Sequence, residues 1–107
     1  MGVALVMTSL GIPMIFQGQP MLEDKWFSDD DLLDWSKSAD FKGLVQMHRD
    51  LISLRRNIHG NINGLTGQNI EILRVDNEKK VIVFRRWQDG GCGDEVVIVM
   101  NFSSQSY

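Results

Sequence analysis

The apolar run Ile12-Pro13-Met14-Ile15-Phe16 is entered through Gly11 and left through Gln17-Gly18-Gln19. It constrains this chain more than any other stretch. A strand that is apolar along its whole length belongs in a parallel sheet with both faces covered. Each parallel neighbour reaches such a strand through a crossover of a dozen or more residues. Only about ten residues precede Ile12, so the chain reads as the tail of something larger.

At 107 residues, 43% of them hydrophobic, the chain has material for one domain with a modest core. Its formal charge of −3 argues against nucleic acid or an anionic membrane surface as a partner. The eleven Lys and Arg residues are scattered and form no basic stripe. Cys92 is the lone cysteine, which excludes an internal disulfide and thiolate-rich metal sites and points to a reducing, cytoplasmic setting. The segment Val3 to Phe16 is too short for a membrane span and is broken by Gly11 and Pro13. It also lacks the basic flank and cleavage site of a secretory signal.

Four zones separate by pattern. Val3 to Leu10 reads as a helix end stopped at Gly11, followed by the strand Ile12–Phe16. Gln17 to Asp40 has no regular period; it holds seven acidic residues together with Trp26, Phe27 and Trp35. An irregular stretch of that length is usually functional or disordered, and its aromatics favour function. Phe41 to Ile58 reads as an amphipathic helix, with Phe41, Leu44, Val45, His48, Leu51, Ile52 and Arg55 on one face. Ser38 or Asp40 is the expected cap and Gly60 the expected stop. The last zone is β, with antiparallel strands expected near 70–75, 80–87 and 95–102. A turn at Asp76-Asn77-Glu78-Lys79 makes a hairpin of the first two, and the glycine-rich connection Gln88 to Glu95 is expected to be mobile.

In this order the parts resemble one family. Gly-Ile-Pro-Met-Ile-Phe-Gln-Gly-Gln, then Leu33-Asp34-Trp35, then a helix bearing Arg49-Asp50-Leu51-x-x-Leu54-Arg55, then Val99-Met100-Asn101-Phe102-Ser103 are similar to the C-terminal part of α-amylase-family (glycoside hydrolase family 13) enzymes. The likeness is greatest to 1,4-α-glucan branching enzymes. It implies an α+β segment. Residues 1–60 would form the end of a (β/α)₈ catalytic barrel, with Ile12–Phe16 as strand eight and Phe41–Ile58 as helix eight. Residues 61–107 would open an all-β C-terminal domain. One departure stands out: the family usually has Glu where this chain has Pro20, which puts the loop exit and any contact of that carboxylate in question.

Enzymes of this family act on α-glucans with retention, through a carboxylate nucleophile and an acid/base carboxylate. The resemblance assigns these to barrel strands other than Ile12–Phe16, so no residue here is expected to be catalytic and no metal or cofactor is implied. The expected contribution is a cleft wall, because barrel sites are built from loops at the C-terminal ends of strands. Gln17 and Gln19 then hydrogen-bond sugar hydroxyls, with Gly18 allowing close approach, or else only satisfy loop backbone. Trp26, Phe27 and Trp35 stack on glucose rings, or else pin the loop. The run Ser28 to Asp31 lacks the spacing of a calcium loop and reads as a solvated face. His48 is expected to be a packed histidine with one polar contact, Cys92 an exposed thiol, and Met14, Met21, Met47 and Met100 core filling.

The expected function is thus that of the C-terminal portion of a glucan-active enzyme, inactive by itself. A non-catalytic carbohydrate-binding module is the alternative, and a structural element using the orphan strand for assembly is a third reading. The apolar surface of residues 3–16 predicts self-association, in the form of a swapped dimer.

Overall fold

The computed structural model describes residues 1–107. Three α-helices, α1 (Gly2–Thr8), α2 (Lys37–Asp40) and α3 (Lys42–Arg55), precede an antiparallel sheet of β1 (Asn69–Asp76), β2 (Val81–Trp87) and β3 (Val96–Asn101). The architecture is therefore a small α+β arrangement, with strand ends within a residue of those the β-branched runs predict. Sheet order is β1-β2-β3, so β2 is central and the other two are edges. The Asp76 carboxylate accepts the Lys79 N–H at 2.9 Å and Lys80 takes a left-handed φ of 57°, closing the expected hairpin.

The strand expected at Ile12–Phe16 does not form: the segment has no regular structure, and Ile12 is 98% exposed. The physical reason is the one that made the run informative. A strand exists only through ladder pairing, and none of β1, β2 and β3 pairs with this segment.

Helix α3 also differs at both ends. Ser38 and Asp40 lie within α2, and α3 starts at Phe41 with no side-chain cap. It ends at Arg55, and Asn57, with a left-handed φ of 49°, turns the chain away three residues before Gly60. The connection 88–95, expected to be mobile, is drawn inward by Asp94. That carboxylate accepts N–H groups from Gln88 (3.1 Å), Asp89 (2.7 Å) and Gly90 (2.5 Å). Burial works against the charged carboxylate, yet these three donors hold its pKa below the usual range.

One face of the sheet carries the core. Phe84, Ile98 and Met100 pack with Leu65, flanked by Ile82, Val96, Ala4, Leu5 and Leu54. The helical cover thus comes from α1 as well as from the C-terminal part of α3. The loop through Gly67 passes so close to β2 that a side chain there would strike the backbone of Trp87 and Gln88. His48 is buried, its Nδ1 2.8 Å from the Leu44 carbonyl, and Cys92 is exposed, both as expected. Met21 and Met100 are buried and Met47 is half-buried, but Met14 is exposed and fills no core. It belongs to the strand that did not form.

Candidate functional site

The stretch from Phe16 to Lys37 is irregular but tightly cross-linked by polar contacts. Gly18, with φ of 69°, reverses the chain into a 3₁₀ turn over Gln19–Met21. A residue with a Cβ would be strained there and would also collide with Glu23. Pro20 sits at the start of this turn, where a fixed φ suits the helical backbone and the missing N–H leaves no broken bond. The substitution that put the loop exit in question is thus accommodated locally. Met21 is buried beneath the turn and anchors it.

Glu23 ties the loop together, a role that spacing gave no means of anticipating. Its side chain is only 5% exposed. One oxygen accepts the N–H groups of Asp24 (3.1 Å) and Lys25 (3.2 Å) and meets the Lys37 ammonium at 2.9 Å. The other accepts the Asp34 N–H at 3.2 Å. The hydrogen bond from Lys37 outweighs the penalty of burial and, with the backbone donors, pulls the carboxyl down to about 2. Lys37 also meets Asp24 at 2.5 Å, and these two carboxylates raise its own pKa. Asp34 is lowered mainly by the Ser36 hydroxyl, which donates to it at 2.6 Å.

Held in this way, the loop forms a small cleft of about 30 Å³ lined by Phe16, Gln17, Glu23, Trp26, Phe27 and Leu33. Phe16 and Phe27 meet at a ring separation of 5.6 Å, tilted by 39°. Trp26 is 92% exposed. The structure therefore brings Gln17, Trp26 and Phe27 to one cleft and leaves Gln19, Gly18 and Trp35 outside it. Gln19 is turned back on its own loop, its Oε1 accepting the Phe16 N–H at 3.1 Å. Gly18 is buried under Glu23, and Trp35 is exposed. Gln17 donates to the Ser28 carbonyl at 3.4 Å. Phe16 is the one lining aromatic not singled out from sequence, because it was assigned to the interior of a strand.

The acidic run Asp29-Asp30-Asp31 is exposed, and the Ser28 hydroxyl caps it by accepting the N–H groups of Asp30 and Asp31. No group of three or more His, Cys, Asp or Glu side chains is gathered as a metal site, and no helix is long and apolar enough to cross a membrane. Chemically, the cleft can stack against a flat apolar surface and hydrogen-bond polar groups beside it. The Glu23 carboxylate lining it is held ionised, whereas a general acid at neutral pH needs a raised pKa. Comparison with protein-family models, with curated proteins and with solved structures finds no match.

Proposed function

We propose that this chain serves in a glucan-active enzyme of the α-amylase family, of the 1,4-α-glucan branching type. Its part is to present a glucan-contacting loop, with the retaining chemistry carried by residues outside these 107. The series Gly-Ile-Pro-Met-Ile-Phe-Gln-Gly-Gln, Leu-Asp-Trp and Asn-Phe-Ser supports the family reading. The observation that carries the binding role is the convergence of Phe16, Gln17, Trp26 and Phe27 on one small cleft. A pyranose presents an apolar face ringed by hydroxyls, and this cleft offers aromatic faces beside an amide and carboxylates. The lone free cysteine supports a cytoplasmic setting as part of this reading.

That the cleft is formed within these residues also favours a second reading, a non-catalytic glucan-binding module. Affinity electrophoresis of the 107-residue chain in gels containing glycogen tests the common claim. Glycogen is expected to retard the chain, and Trp26→Ala to weaken binding by about 1 kcal/mol, roughly fivefold. Mobility that is the same with and without glycogen would remove the binding role. Restoration of branching activity on adding the chain to a barrel lacking this segment favours the enzyme reading over the module.

A further inference from the structure

The two edges of the sheet differ in how they are guarded. Strand β1 carries Glu71, Arg74 and Asp76, and a bulge between Ile72 and Arg74 interrupts its register. Charges and bulges are the devices by which proteins protect an open edge from pairing. Strand β3 has neither. Its sequence Val96-Val97-Ile98-Val99-Met100-Asn101 pairs with β2 in unbroken register, and no charged residue occurs from Val96 to Tyr107.

The hydrogen-bond parity of β3 shows which groups face outward. The Phe102 N–H donates to the Lys80 carbonyl at 2.8 Å. In an antiparallel ladder the hydrogen-bonded pairs alternate, so Met100, Ile98 and Val96 bond to β2. Val97, Val99 and Asn101 therefore direct their backbone groups to the free edge. No strand or loop pairs with them there. The side chains of Val97 and Val99 stand 53% and 66% exposed on the sheet face opposite the core.

We propose that the free edge of β3 pairs with β3 of a second copy of this chain, joining two three-stranded sheets into one of six strands across a two-fold axis. With Ile98 at the axis, Val97 of one copy lies opposite Val99 of the other, and both residues have their N–H and C=O groups turned toward the partner strand. The pairing is self-complementary in charge, because the facing strands are neutral and no like charges are brought together. Aliphatic β-branched side chains line up along the exposed face, the pairing that sheets favour. The contact is a strand edge and smaller than a standard interface, so the dimer is a weak one that forms with rising concentration. This surface is distinct from the cleft at Trp26.

Sedimentation velocity over a wide concentration range, combined with amide exchange by NMR, tests it. The chain is expected to pass from monomer to dimer as concentration rises, with the amides of Val97 and Val99 becoming protected. Val99→Lys places a charge on an exposed side chain of the edge and is expected to weaken dimerisation at least tenfold, while circular dichroism stays unchanged. Ile72→Lys on the guarded edge should leave dimerisation intact. A chain that stays monomeric throughout overturns the proposal, as does a dimer unaffected by Val99→Lys. A dimer lost in Ile12→Lys but kept in Val99→Lys places association on the 12–16 segment and equally overturns it.

Discussion

A carboxylate in an irregular loop is seldom both buried and ionised, because burial alone favours the neutral acid. Glu23 reconciles the two through its three backbone donors and the ammonium of Lys37. Its carboxyl has an ordinary value of 4.5 and lies at about 2 in the folded chain. A folded pKa below the unfolded one stabilises above the unfolded value, so the contribution is complete above pH 4.5 and is lost as pH falls from 4.5 toward 2. Lys37 is shifted the other way, so its contribution is complete below its ordinary value of 10.5 and fades at more alkaline pH. The Asp34 and Lys25 amide shifts should therefore follow the Glu23 titration, with a midpoint near 2 instead of 4.5. Glu23→Gln removes the charge and the pairing with Lys37, and should speed hydrogen exchange at Asp34 about tenfold without unfolding the sheet. Exchange unchanged in that variant would mean that the loop is held by something else.

Among the elements, α1 shows how a marginal piece of structure is retained. At seven residues it is too short to persist alone in water. The Thr8 and Ser9 hydroxyls donate to the Ala4 and Leu5 carbonyls, and two guanidinium groups take the carbonyls beyond. Arg55 donates to Met7, Ser9 and Gly11, and the fully buried Arg86 donates to Thr8, Ser9 and Gly67. Positive groups at a helix C-terminus also complement its dipole. Desolvation, with a smaller contribution from Arg55, lowers the pKa of Arg86, but a guanidinium keeps its charge at any pH where the protein is folded. Arg86→Leu would orphan the Thr8 and Gly67 carbonyls, Ser9 keeping its bond from Arg55, and a cost of about 3 kcal/mol is expected in urea unfolding, with loss of α1 helicity. Arg86→Lys should recover only part of this, since an ammonium cannot reproduce the fork that spans α1 and Gly67.

At the scale of the whole molecule the packing is thin. The radius of gyration is 16.2 Å, against about 13 Å for a compact domain of this length. Four residues form the fully buried cluster of the sheet, while Ile12, Met14, Trp26, Leu32 and Val99 stand largely in water. A structure with so small a core has little stability in reserve. Phe84 lies at the centre of that cluster and is 3% exposed, so Phe84→Ala should cost about 3–5 kcal/mol. That is of the order of the whole stability of a small domain. Loss of the cooperative thermal transition in this variant is the expected result; a melting curve like that of the parent chain would show that the core lies elsewhere.

Local pattern was enough to place the three strands, their hairpin turn, the apolar face of α3 and the buried His48. Each of these depends on residues near in sequence: β-branched runs, a turn at Asp76, a spacing of three and four. Gln17, Trp26 and Phe27 were singled out through the family resemblance, and the structure brings them to one cleft. Pattern failed wherever the answer depended on distant partners. Ile12–Phe16 has the composition of a strand, but pairing is a property of neighbours, and no strand of the sheet lies beside it as a partner. Glu23 and Lys37, fourteen residues apart, meet because the irregular chain between them doubles back and its Asp34 N–H docks on Glu23, and Arg86 reaches α1 across 78 residues. Such contacts leave no period in the chain. Sequence determined which segments could form regular structure; tertiary packing decided which of them found partners, and so where the cleft and the open edge lie.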